Sequence, residues 1–527
     1  MNMASDQKSI PWPPESAAPR LRLYARNEKL FRGEHEQVFA QQKYKSTPTH
    51  GARSRQHDPE PAYVTVNLLG AMTNELSRRM CLEGVEVQAP EGLVGTQQFL
   101  DALRTTNRLD MVHLLAAQIA SYCGDVLYKV RYDAALAQIR IEVLNPSIVF
   151  PECNPLDNTD VRAVNLGLVL DGPKADHYLW VERHELREGA GRIANRLWRL
   201  TGNATSGYRY DPVDDEVALT ALAATENLLP EYATGVDELL VTLVHNRPTT
   251  GLWGQSDYEG LLELQRELNN RQTQRANVLD KFVDPFMYGP NIADEHGEVD
   301  LVANKWFPTD PGSSSNSPVG MIVWDAQLGA AVEAIRDAKE SIAAVAGIDT
   351  DALIPQENAG PMSGRALKLR QMRTQATVQA KALAFGAGLQ RVYSLTTKLA
   401  VAVGNDLGFR AVLPEVKIPA PGEPVAERKP MDLKLYPLRA EQITITFGDG
   451  LPADRAEDIE DQTRMIEAGV QSRPRAIEVL HGMSEDDAKT LARDIQQEAN
   501  QGAPSAAPVA GWSGLGTRLS AGGAGES

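Results

Sequence analysis

Three cysteines in 527 residues, Cys81, Cys123 and Cys153, leave no complete disulfide set and show no zinc-type spacing. A reduced cytosolic setting is therefore expected. Nowhere does the chain hold the roughly 18 consecutive apolar residues that a membrane helix needs, so no membrane span is expected. The start, Met1 to Pro19, lacks a continuous apolar core, which argues against a signal peptide. Positive charge is short: 53 Lys and Arg stand against 70 Asp and Glu, a formal net charge of -17. A protein that grips nucleic acid over a broad surface carries the opposite sign.

Catalytic signatures are missing as well. His35-Glu36 and His184-Glu185 each start a metalloprotease-like string, but neither has His at the fifth position. The chain has no Gly-x-Ser-x-Gly elbow, which removes the usual nucleophile turn. With no Gly-x-x-x-x-Gly-Lys phosphate loop, it is not an ATP motor itself. Asp211, Asp214, Asp215 and Glu216 offer oxygens for a hard cation or for hydrolysis. A solvated acidic loop is the simpler account, and no metal, cofactor or catalytic residue is assigned. The stretch from Gln501 to Ser527 is mostly Gly, Ala and Ser and is expected to be a disordered tail.

What is present is helical periodicity across residues 256–399. Residues 256–282 place Leu261, Leu264, Leu268, Leu279 and Phe282 on one side and Glu259, Glu263, Arg266, Asn270 and Asn277 on the other. Gln272 and Arg275 interrupt that stripe. Residues 326–346 carry Leu328, Ala331, Ile335, Ala338, Ile342 and Val345 at spacings of three and four, a seam suited to close packing. The opposite edge holds Glu333, Asp337 and Glu340. A third helix, 363–399, contains Arg365, Lys368, Arg370, Arg373, Lys381, Arg391 and Lys398 and no acidic residue. Its cations are spread around the circumference, which suits bridges to acidic neighbours better than a DNA-binding face. Ser363 is placed to cap it. Between the first two helices, 284–325 is rich in proline and reads as a small β-containing module. Between the last two, 347–362 is an irregular loop with Gly347, Gly360 and Pro361 as hinge points.

Around this core the chain reads as α+β. Helices are expected over 20–44, 63–82 and 95–120, and a short strand over 85–87. Period-two alternation predicts a hairpin from 125–132 and 138–144, with further strands at 161–170, 177–185, 196–200 and 239–245. Together they suggest an antiparallel meander. Beyond Val403 the chain is loop-like and proline-rich to Pro437, 442–447 alternate as a strand, and 452–469, 472–480 and 484–500 are helical. Pro474 sits in the first turn of the middle one, and Ser484 with Asp487 makes a capping-box-like start.

The order of these parts resembles the phage portal proteins, in the Siphovirus-type family whose prototype is the phage SPP1 portal. The resemblance spans roughly 21–500. It rests on Tyr24 with Gly33-Glu34-His35, on Ser363-Gly364-Arg365-Ala366-Leu367, and on the stretch 445–449 followed by Pro452. It implies a ring, usually of twelve copies, around a central channel. The domains implied are a flexible N-terminus (1–20), a wing (21–254), stem helices (255–282 and 326–346), a clip (283–325) and a tunnel loop (347–362). A long basic helix (363–400), a wing return segment (401–454), a crown (455–500) and the tail complete them.

The resemblance also implies a non-enzymatic virion protein at a capsid vertex, assembled in the host cytoplasm. Its partners would be double-stranded DNA passing through the channel, the terminase large subunit, a head-completion adaptor, and the major capsid and scaffolding proteins. Glu333, Asp337 and Glu340 would line the channel, since like charge lets DNA slide; otherwise they form a plain solvated helix face. Asp349, Asp351, Gln356, Glu357 and Asn358 would be the tunnel loop's polar, transient DNA contacts, or part of an ordinary connector. Arg365, Lys368, Arg370 and Arg373 would pair between subunits. Another ring-forming virion adaptor is the alternative, though such adaptors are usually much shorter.

Overall fold

The structure, a computed structural model, describes residues 9–39, 63–82, 84–203, 207–283, 286–289, 306–308, 320–322, 328–353, 369–407, 434–448, 455–481, 483 and 485–501. It divides into two units, Met1–Leu451 and Pro452–Ser527.

Unit 1 opens with β1 (Ile10–Trp12) and α1 (Ala18–Phe31). The single helix expected over 20–44 is instead two, because Gly33 adopts a left-handed φ of 82° after α1. Gly33 N–H donates to Leu30 O at 3.1 Å and Glu34 N–H to Lys29 O at 2.9 Å, the paired bonds of a Schellman stop. The short α2 (His35–Phe39) follows, then α3 (Leu68–Cys81), whose Asn67 side chain caps Gly70 N–H. β2 (Val85–Gln88) leads to α4 (Val94–Asn107) and α5 (Leu109–Cys123). These too were expected as one helix. Arg108 breaks it by turning left-handed, φ 52° and ψ 48°. The break leaves Asn107 buried, where its amide donates to Ile139 O at 3.0 Å and accepts from Ile141 N–H at 3.1 Å.

β3 (Asp125–Asp133) and β4 (Gln138–Leu144) form the expected hairpin, and β12 (Val241–His245) adds antiparallel to the other side of β3. Alternation gives this three-stranded sheet two buried faces. Val126, Tyr128 and Val130 face the main helical core, whereas Leu127 joins Val149, Val164, Leu166 and Val241 in a second cluster. Val149, Val164 and Leu166 of that cluster come from a larger, eight-stranded sheet, so the cluster joins the two sheets. β5 (Val149–Asn154), β6 (Asp157–Asp171), β7 (His177–Arg187), β8 (Ala190–Asn203) and β9 (Gly207–Tyr210) run as the expected meander. β1 pairs with β9, and the short β10 (Glu216–Val217) and β11 (Glu231–Ala233) pair with β8.

α6 (Leu262–Val283) and α7 (Leu328–Ala346) are the two helices of the hairpin. Between them in sequence lie β13 (Phe286–Gly289), β14 (Trp306–Pro308) and β15 (Gly320–Ile322) in one three-stranded sheet, so the small module does contain strands. α8 (Thr350–Leu353) is one turn within the region read as an irregular loop. α9 (Met372–Leu407) is the long helix. Its Phe385, Leu389, Val392, Tyr393, Leu395 and Leu399 enter the main core beside α3, α5 and β3. Gly388 is required there, since a Cβ would fall 2.6 Å from Val244 on β12. β16 (Thr444–Phe447) pairs antiparallel with β2, which returns the chain after α9 to its N-terminal half.

Unit 2 holds α10 (Arg455–Glu467), α11 (Arg473–His481) and α12 (Glu485–Gln501). Ala476 and Ala488 are its buried apolar residues among those described.

Candidate functional site

α6 and α7 pack through Leu268, Ile335 and Ile342, all buried, with Leu68 closing the cluster. At about 100° per residue the opposite side of α7 carries Glu333, Asp337, Glu340, Ser341 and Ala344. Glu333 and Asp337 are exposed. Glu340 is half-exposed and accepts from Arg336 Nε at 2.8 Å, one turn earlier. Val332 and Val345 are also exposed. They lie on the two flanks between the seam and the acidic side. Val345 thus departs from the expected seam, and the seam ends instead on Ala346, which is buried. The physical reason is angular: three residues past Ile342 rotates Val345 about 60° off the seam, whereas Ala346 rotates only about 40°.

α6 meets the rest of unit 1 through a polar ladder that the apolar reading of the helix passed over. Gln265, Asn269 and Thr273 recur every four residues. Gln265 Nε2 donates to Val66 O at 2.7 Å, Asn269 Oδ1 accepts from Val66 N–H at 3.2 Å, and Thr273 Oγ1 accepts from Val64 N–H at 3.0 Å. The ladder holds an extended segment along the helix in the manner of a strand partner. Asn269 Nδ2 lies 2.9 Å from His35 Nδ1, while His35 Nε2 lies 3.0 Å from Leu30 O. One ring nitrogen thus accepts and the other donates, so His35 sits as the neutral tautomer. Burial lowers its pKa accordingly. The spacing of Gln265, Asn269 and Thr273 was visible in the sequence as a signal.

The root of the hairpin is a buried ionic knot. Asp257, just before α6, pairs with Lys381 of α9, and both are buried. Its carboxylate also accepts from Ser121 Oγ at 2.6 Å and Asn246 Nδ2 at 2.9 Å, with Arg247 at 3.2 Å. Burial alone would raise its pKa; the charges of Lys381 and Arg247 with these hydrogen bonds outweigh burial and hold the carboxyl below its ordinary range. Next to it, Gly124 and Gly254 pass back to back. A Cβ on Gly124 would meet Gly254 O at 2.7 Å, and Gly124 itself needs φ 101°. The knot therefore joins α5, β12, α6 and α9 at one point.

The connector between α7 and α9 is tied down where it is described. Asp349 Oδ2 accepts from Thr374 N–H at 3.0 Å and from its hydroxyl at 3.1 Å, and Thr377 Oγ1 donates to Gly347 O at 2.7 Å. Asp351 pairs with Arg370. Arg373 Nη2 donates to Ala344 O at 2.6 Å, a second donor beside Gly347 N–H for a carbonyl in the last turn of α7. Asp349 and Asp351 thus anchor the connector to the start of α9 and to Arg370 just before it within the chain. Gln356, Glu357, Asn358, Arg365 and Lys368 lie outside the described residues.

Several cations of the third helix pair with carboxylates of the same chain. Besides Lys381 and Arg370, Lys398 pairs with Glu238, and Arg391 lies 3.9 Å from the same carboxylate. The reason is that α9 runs through the core, where a cation spread around the helix meets the chain's own carboxylates. The acidic group at 211–216 proves self-satisfied. Asp211 N–H donates to Asp215 Oδ2 at 2.6 Å, and Glu216 pairs with Arg196 at 3.1 Å. No cluster able to hold a metal is present among the described residues, and no helix among them is long and apolar enough to cross a membrane.

A family model described as phage portal protein, SPP1 Gp6-like, matches residues 226–502, just over half of the chain. The match takes in α6, α7, α8, α9 and all of the described unit 2 helices. Among solved structures, the neck of a native GTA particle computed with C12 symmetry is similar at 13% identity and a TM-score of 0.37, over 79% of this chain and 89% of that one. No curated protein matches.

Proposed function

This chain belongs to the SPP1 Gp6-like family of phage portal proteins, a structural and non-enzymatic family of the virion, and from that premise we propose that copies of it form a ring around a channel for viral DNA. Twelve copies is the number we adopt. The domain plan is that of a portal: wing over 21–254 with 401–454, stem from α6 and α7, clip over 283–325, tunnel loop over 347–362, and crown over 455–500. The ring sits at a capsid vertex, assembled in the host cytoplasm with the major capsid and scaffolding proteins. The terminase large subunit docks first to drive DNA inward, and head-completion adaptors replace it.

The observation that carries this reading is the division of α7 into sides. One side is sealed against α6, the opposite side is acidic, and exposed valines mark both flanks. A helix that walls a pore in a ring has those surfaces: one for its own chain, one for the lumen and one for each neighbour. Carboxylates in the lumen repel phosphates, so DNA is neither gripped nor stalled, whereas a cationic wall would hold it by counterion release. Arg336 offsets part of that charge through Glu340. The test is the triple replacement Glu333→Lys, Asp337→Lys and Glu340→Lys. Rings should still form, because none of the three side chains lies in the seam, and packaging should fall. Normal packaging by that variant would remove the channel assignment.

A further inference from the structure

α9 carries a surface that the described residues of unit 1 leave uncovered. Leu369, just ahead of α9, then Met372, Ala376, Ala380, Leu383 and Ala387 follow at spacings of three and four, which gathers them within one narrow sector. Leu369, Met372 and Leu383 are 62%, 62% and 78% exposed. The alanines between them are exposed as well. The other side of the helix is core, through Val378, Phe385, Leu389 and Val392. Along one margin of the exposed sector stand Arg373 and Arg391, both exposed. No Asp or Glu occurs between Glu357 and Asp406.

We propose that this stripe is the seat of a second copy of the same chain, an inference that rests on the ring reading above. Three features select that occupant. The chain carries a net charge of -17, so two copies repel wherever acidic surface meets acidic surface. The stripe lies on a segment that carries no acidic residue of its own and has guanidiniums at its edge, which makes it complementary to the acidic charge of a neighbour. Its six apolar positions rise about 27 Å along the helix, and the alanines let another element approach closely between the larger side chains. DNA is the poorer occupant. Arg373 and Arg391 stand several helical turns apart with apolar surface between them, whereas a phosphate backbone needs closely spaced cations. The contact is made by the uncovered apolar side of α9, and the described cations Arg370, Arg373, Lys381, Arg391 and Lys398 serve at its margin or inside the chain.

The test uses the full chain with Leu383→Glu and, separately, Met372→Glu. Both side chains are largely exposed, so the folded subunit should keep its circular dichroism and its melting temperature. Native mass spectrometry and sedimentation velocity should then show the ring replaced by monomers and short oligomers, with Leu383→Ala milder than Leu383→Glu. Rings that persist in both glutamate variants would overturn the proposal. So would rings that persist but lose retention of a short DNA duplex, since that result gives the stripe to DNA. If the unaltered protein forms no ring under any condition, the ring reading fails by itself, and the variants are not needed to see it.

Discussion

Removing the ammonium of Lys381 should destabilise unit 1 in a way that only a buried ion pair explains. Lys381→Met keeps the length and apolar stem of the side chain and deletes the charge. Asp257 then remains 1% exposed, with its carboxylate held by Arg247, Ser121 and Asn246. Breaking a buried pair by removing one partner costs roughly 3–5 kcal/mol. The remaining donors place Lys381→Met at the lower end, about 3 kcal/mol. Asp257→Leu strands the ammonium of Lys381 and unpairs Arg247 together, so it belongs at the upper end, about 5 kcal/mol. The double variant carries neither buried charge. Its cost should therefore fall short of the sum of the singles by at least about 2 kcal/mol. Urea unfolding followed by both circular dichroism and tryptophan fluorescence measures all three. Additivity within about 0.5 kcal/mol, or a cost below about 1 kcal/mol for Lys381→Met, would refute the reasoning.

Three further outcomes follow from single side chains. His113 is buried between Tyr128 and Tyr393, and burial pushes its pKa down to about 4 from 6.5; the unfolded chain therefore takes up the proton first, and stability should fall by up to about 3 kcal/mol as pH drops from 6.5 to 4, a slope that His113→Gln removes from the urea midpoint. Gly388→Ala should cost about 1–2 kcal/mol by urea unfolding despite its gain in helix propensity, because its Cβ meets Val244, and Val244→Ala in the same chain should relieve it. Asn269→Leu should cost about 2–3 kcal/mol by orphaning Val66 N–H and His35, and amide exchange at 63–67 should accelerate while that of α5 stays unchanged.

The elements that could be read from the sequence are those whose evidence is local. The seam of Ile335 and Ile342, the hairpin of β3 and β4, and the acidic edge at 333, 337 and 340 all repeat at the period of their own element. What stayed hidden depends on distant partners. The stretch 104–110 has no Gly or Pro to announce a break, and Arg108 turns left-handed where Asn107 reaches β4. β1 joins the sheet through β9, with seven other strands and five helices between those two in sequence order left for the fold to bridge. Lys381 looks like every other cation of its helix until Asp257, far earlier in the chain, is brought against it. Asp349 and Asp351 read as loop carboxylates for the same reason, since their partners Thr374 and Arg370 stand well beyond them in the sequence.

The central claim is that α6 and α7 form a wall shared among copies, and class averages from electron microscopy of the purified protein test it most directly. The account predicts rings with an open central hole of a width that admits a DNA duplex. Single compact particles without a hole, at every concentration and salt tried, would contradict it.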